Sequence, residues 1–166
     1  MISWFKKVFL KGFIPAVIFV CLTASTHANE QELFMVRSNI PYDIAMERVK
    51  SILNSYGYEV AHTQRCDGGL ADFGYKTDFY RVLFWGKYQE VHELSAKFPE
   101  IVPFLPLKFL VFAENNETVF IALNPAMVAN YYSAPEIKLQ LMRWKNDIES
   151  IMNELRDYQY HPVSDS

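Results

Sequence analysis

Cysteine, glycine and proline are scarce: two, six and eight among 166 residues. Two cysteines cannot staple a disulfide framework. So little glycine and proline excludes a collagen-like or low-complexity chain. Charge is sparse too, with 16 Lys and Arg against 19 Asp and Glu and a net of −3. The chain has no Gly-x-Ser-x-Gly, no phosphate-cradling glycine loop, no dinucleotide fingerprint and no Cys-x-x-Cys pair, so the common signatures of catalysis are missing. What is plentiful is apolar surface. Hydrophobic residues make up 51% and aromatics 16%, enough to offset the entropy of ordering and to exclude long disorder. The length predicts one domain.

The first 28 residues read as a secretory signal. Lys6, Lys7 and Lys11 supply the positive start, and Phe13 to Leu22 is apolar except for the helix-bending Pro15. Small residues then stand at the −3 and −1 places for cleavage after Ala28. Ten helical residues rise about 15 Å, half of a roughly 30 Å hydrocarbon core, so contact with the membrane is expected only in transit. The alternatives are an uncleaved anchor, helped by Val8-Phe9-Leu10, and a lipid anchor at Cys21, which bulky Phe19 and Val20 disfavour. Cleavage removes three lysines and leaves 138 residues with 13 basic and 19 acidic side chains, net −6. Such an acidic chain repels nucleic acid. A periplasmic or secreted location is therefore expected, with Cys66 the single remaining cysteine and no intrachain disulfide.

Residues 29–157 read as one domain and 158–166 as a polar tail. Leu33–Arg37 is a β-type run. Pro41 and Asp43 suit the start of a helix. Ala45, Val49, Ile52, Leu53 and Tyr56 share one helical face, and Gly57 fits a left-handed cap. Tyr58–Thr63 alternates as a strand does. Cys66-Asp67-Gly68-Gly69 is turn chemistry, and the segment to Lys76 lacks clear periodicity. A strand over Phe79–Trp85 stops at Gly86, and a helix over Tyr88–Phe98 stops at Pro99. Leu107–Phe112 and Thr118–Leu123 flank Glu114-Asn115-Asn116-Glu117 and predict a hairpin. Ser133 and Glu136 form a capping-box pattern. Ile137, Leu141, Trp144, Ile148, Ile151 and Leu155 follow as one stripe, read as a helix lying across a sheet rather than a coiled-coil seam. The predicted class is α+β: an antiparallel sheet of about five strands covered by two to three helices, in the order strand-helix-strand-strand-helix-strand-strand-helix.

Several of these pieces recur together in a known family. Asn39-Ile40-Pro41-Tyr42-Asp43 leads into a helix ending Tyr56-Gly57-Tyr58-Glu59-Val60. Arg81–Gly86 follows, then Phe104-Leu105-Pro106-Leu107-Lys108, and finally Ala122-Leu123-Asn124-Pro125. Over roughly residues 33–130 the chain resembles the domain of unknown function 302 family. The resemblance implies a small α/β domain, an antiparallel sheet under helices, and frequent pairing as a homodimer. It implies no activity. The chain departs from the family's pattern at Lys87-Tyr88, where Asn-Pro is usual, and at the Gly-rich Cys66–Lys76, where a regular helix is usual.

Four residue groups bear on chemistry. Cys66, beside Arg65 and four residues from His62, is the candidate reactive thiol of a sulfur-handling redox protein. The competing reading is an inert, half-buried cysteine. His62, Cys66, Asp67 and His92 lack the spacing of a metal motif, so no metal and no cofactor are expected. Arg81 and Lys108, each in an apolar strand, could meet a small anion or could be solvated edge charges. Arg81, Trp85, Lys108 and Asn124 are thus the candidate ligand-binding residues. Tyr75, Tyr80, Tyr131 and Tyr132 are further candidates for a pocket or a dimer contact. With no catalytic constellation, the balance is against an enzyme. The expected function is a binding or interaction module for a small apolar or anionic ligand.

Overall fold

A computed structural model describes residues 31–74 and 79–160. The proposed export signal and Tyr75 lie outside them. The chain runs β1 (Leu33–Ser38), α1 (Tyr42–Ser55), β2 (Glu59–Arg65), α2 (Asp67–Asp72), β3 (Tyr80–Gly86), α3 (Tyr88–Lys97), β4 (Leu107–Glu114), β5 (Glu117–Leu123) and α4 (Pro135–Asp157). Two 3₁₀ helices, Pro99–Phe104 and Pro125–Tyr131, precede β4 and α4. The five strands form one sheet in the order β1-β5-β4-β3-β2, with every neighbouring pair antiparallel. The α+β class and the antiparallel five-stranded sheet expected from the sequence are therefore present.

Side chains alternate across a strand, so one face of the sheet can be apolar on its own account. Here Phe34 and Val36, Phe120 and Ala122, Phe109 and Val111, and Leu83 and Trp85 form that face, all buried. Against it lie the α1 residues Ala45, Val49, Ile52 and Leu53 and the whole α4 stripe from Ile137 to Leu155. The stripe is core. Two hydroxyls trapped there are bonded, Ser38 Oγ donating to the Leu155 carbonyl at 2.7 Å and Thr118 Oγ1 to the Ile40 carbonyl at 2.8 Å, whereas the buried Trp85 indole N–H has no partner among the described residues.

Local chemistry fixes the turns. Gly57 has φ +75°, its N–H donates to the Asn54 carbonyl, and the Tyr58 N–H reaches the Leu53 carbonyl. This is the paired-bond ending that a left-handed residue permits after a helix. Asn115 and Asn116, at φ 52° and 66°, form the two-residue β4–β5 turn, as the twist of a hairpin demands.

Three details differ from the sequence reading. The Gly-rich stretch after Cys66 forms the short helix α2. No Ser133 capping box forms: α4 starts at Pro135 after Ala134, without a side-chain cap, and Glu136 pairs with Lys97 instead. The helix begins one residue later than the box requires, with Ala134 at the N-cap and Pro135 in the first helical position, where its fixed φ suits a helix start and its missing N–H costs nothing. Tyr158, assigned to the polar tail, packs on the core beneath the Arg48 guanidinium, 4.6 Å from its ring centre. Among the described residues, no helix is long and apolar enough to cross a membrane.

Candidate functional site: a slot where the sheet divides

β4 and β5 begin and end out of step. Their ladder runs from Glu114↔Glu117 to Leu110↔Ile121 and stops. Beyond it, β4 continues to Leu107 paired with Trp85 of β3, while β5 continues to Leu123 paired with Leu33 of β1. The two strands thus part over their last residues. A cavity of about 300 Å³ occupies this end of the sheet. Leu107, Leu110 and Leu123 line it from the parted strands, and Leu141, Trp144 and Ile148 of α4 close it behind. Pro103 and Phe104 reach it from the 87–106 segment between β3 and β4.

Lys108 is the one charged side chain on this lining. Phe109 and Val111 point into the core, so Lys108 lies with Leu110 and Phe112 on the opposite, uncovered face. Its Nζ donates to the Pro106 carbonyl at 3.0 Å and sits 5.7 Å from the Phe84 ring centre. Among the described residues no carboxylate pairs with it. Burial pulls its pKa below the usual lysine value, because an ammonium without a counter-charge is poorly stabilised away from water.

The Trp144 wall is held from outside. Its Nε1 donates to Glu90 Oε1 at 2.7 Å, and the same carboxylate pairs with Arg143. Glu90 belongs to α3, whose single buried residue is Leu94. Glu90 thereby ties α3 to the Trp144 and Arg143 side chains of α4.

The other sequence candidates lie elsewhere. Arg81 is on the core face at the far end of the sheet, so it does not meet Lys108. It pairs with Asp67, the two side chains 18% and 12% exposed. Arg65 bonds the same carboxylate at 3.1 Å. Burial opposes the Asp67 charge, but the Arg65 hydrogen bond and the two guanidiniums hold its pKa below the ordinary carboxylate range. Trp85 is wholly buried between Tyr58 and Phe109, at 4.8 and 4.9 Å between ring centres. The Asn124 amide is committed to the backbone, accepting from the Ala126 N–H and donating to the Gln31 carbonyl, each at 2.9 Å. Cys66 is half-buried, its Sγ 3.9 Å from the Gln64 carbonyl. His62 instead faces Gln64 Oε1 at 3.4 Å and the Phe84 ring. Tyr80 packs edge-on to Phe112, Tyr131 is exposed, and Tyr132 is buried with its hydroxyl on the Glu100 carbonyl. No three His, Cys, Asp or Glu side chains cluster as a metal centre requires, among the described residues.

Two wider hollows are less suited to a small apolar ligand. One, of about 680 Å³ at the hairpin end, is bordered by Tyr42, Asp67, Asn115 and Asn116. The other, of about 700 Å³ between α3 and α4, is spanned by the Lys97–Glu136 and Arg143–Glu90 pairs. The slot combines apolar walls with one unpaired charge. Sequence reasoning found Lys108 but not the Phe104 and Leu123 walls. The apolar Phe104-Leu105 directly before a strand was the available signal.

The architecture is that of a small α+β domain with helices on one face of an antiparallel sheet. The chain matches the family described as "Domain of unknown function DUF302" over residues 34–155, and it belongs to that family. It is also similar to a crystal structure of an uncharacterized conserved DUF302 protein from Bacillus stearothermophilus. That likeness has a TM-score of 0.67 at 19% identity and covers 76% of this chain and 99% of the other. None of the curated proteins matches.

Proposed function

We propose that this protein is an exported, non-enzymatic module that binds a small apolar molecule ending in one anionic group. The observation that carries this reading is Lys108, a lone ammonium on an otherwise apolar slot walled by α4. A ligand tail between the parted strands would rest on Leu110, Leu123 and Trp144, while its anion would supply the counter-charge that Lys108 lacks. The volume is at the lower end of the roughly 300–1,000 Å³ typical of small-molecule sites, which favours a medium-chain or single-ring acid.

Calorimetry with octanoate, decanoate and decanol tests it. Burying each added methylene contributes about 0.8 kcal/mol, so decanoate should bind about 15-fold more tightly than octanoate. Decanol should bind more weakly than decanoate, and Lys108→Met should abolish that preference. Equal binding of acid and alcohol by the unaltered protein would refute the assignment. Export is tested by amino-terminal sequencing of the protein from the periplasmic fraction, which should begin near Asn29. The thiol reading has less behind it, since the Cys66 sulfur meets a backbone carbonyl and His62 is turned to Phe84.

A further inference from the structure

The uncovered face of the sheet has the chain's own entry point at one end. Leu33, Met35, Ile121, Leu123, Leu110 and Phe112 share this face by strand alternation and register. The helices packed on the sheet find their core partners on the other side. Toward the β1 edge the face is openly apolar: Leu33, Met35 and Leu123 keep 51%, 52% and 47% of their surface. Contiguous apolar surface of this kind marks a site of association.

Attachment, length and charge name the occupant. Asn124 donates from its backbone N–H to the Glu32 carbonyl and from its side-chain amide to the Gln31 carbonyl, each at 2.9 Å. Leu33 lies opposite Leu123, a wall of the slot. The residues before Gln31 are thus pinned at the slot end of this face. Thirty residues precede Gln31, and the run Phe13–Leu22 among them carries no charge. The eight residues joining that run to Gln31 reach up to about 27 Å. As a helix the run rises about 15 Å, and β5 extends about 20 Å from Leu123 to Glu117. At that far, hairpin end Glu114 stands directly opposite Glu117. Like charges so placed repel. Arg37 bonds Glu114 and lies 3.8 Å from Glu117, which leaves one carboxylate in excess there among the described residues. Lys6, Lys7 and Lys11 precede Phe13, so a run laid along the face from the slot end carries them to these acids.

We propose that in the uncleaved chain Phe13–Leu22 folds back over this face, from the slot at one end to the Glu114–Glu117 pair at the other. The tether favours it, because a segment on a short linker meets its own surface at roughly millimolar effective concentration. The run covers Leu123 and shuts the slot, and removal of the first 28 residues opens it. The docking stands on the face and the tether alone. Its effect on ligand rests on the slot reading above.

Cys21, inside the run, is a built-in probe. The full chain is made by cell-free translation, which leaves its first residues in place, with Cys66→Ser and one added thiol. That thiol is Met35→Cys on the face or Leu139→Cys, a site 73% exposed on α4. Under mild copper-phenanthroline oxidation, the intramolecular disulfide from Cys21 to position 35 should form at least tenfold faster than that to position 139. Val17→Asp together with Phe19→Asp should bring the two rates together. Equal rates at the two positions, or a rate that ignores the aspartates, would overturn the proposal. So would a crosslink whose rate rises with chain concentration, since a neighbouring copy then holds the run. The unaltered full chain should also bind decanoate at least tenfold more weakly than the chain starting at Asn29. Equal affinity of the two forms refutes the closing of the slot. Decanoate bound by neither form is a failure of the slot reading, and the disulfide still decides the docking.

Discussion

Removing the Glu90 carboxylate tests whether the slot wall is set from outside. The Glu90 side chain is 15% exposed, accepts the Trp144 indole N–H at 2.7 Å and pairs with Arg143. Glu90→Ala leaves that N–H without an acceptor in a tryptophan that is 1% exposed. A hydrogen bond to a charged group is worth about 1.5–3 kcal/mol, and an orphaned buried donor costs about 1–3. The Arg143 partner is 46% exposed and contributes little. The expected loss is therefore about 2 kcal/mol. Glu90→Gln keeps an acceptor and gives up the charge, so it should lose less than about 1 kcal/mol. Urea unfolding followed by tryptophan fluorescence measures both. Repeating Glu90→Ala in a Trp144→Phe background isolates the pair, and there the cost should fall by at least half. If alanine and glutamine prove equivalent, or if the cost is unchanged in the phenylalanine background, the bond does not seat the indole and the reasoning fails.

Three further outcomes follow from the geometry. Gly57→Ala should destabilise by about 1 kcal/mol because φ +75° strains any Cβ, while the new methyl meets only Lys87 at an ordinary 3.7 Å; Gly57→Asn should lose less in the same urea titration. The Lys108 pKa is lowered in the folded chain, so between the folded and unfolded values the unfolded state holds more protons, and this residue's contribution to stability should rise with pH across that window. Decanoate affinity should fall over the same alkaline range as the ammonium is lost, and Lys108→Met should flatten both profiles. Cys66, with no base at its sulfur, should react with iodoacetamide at native pH no faster than an unfolded-chain thiol; a markedly faster rate would revive the thiol reading.

Much of the fold was legible because it is written in short-range pattern. The α4 stripe repeats at helical spacing. Phe109 and Val111 alternate with Lys108 and Leu110. Asn115-Asn116 supplies the left-handed turn, and Gly57 the helix ending. What was not legible depends on register and on long-range contact. Alternation assigns Arg81 and Lys108 each to a side of its own strand, but only the Arg81↔Val111 pairing shows that the two sides are opposite. The carboxylate that neutralises Arg81 comes from Asp67, across the segment between β2 and β3, and no local pattern announces that return. The divergence of β4 from β5 is likewise invisible in either strand alone. It exists because each continues along a different neighbour after their shared ladder ends.

Lys108 gives the slot a direction. Its ammonium bonds the Pro106 carbonyl on the uncovered side of the sheet, while Leu141, Trp144 and Ile148 close the cavity behind. A guest would have to enter tail first, and the back wall would act as a gauge: a tail too long for it would leave its own charge stranded short of the lysine.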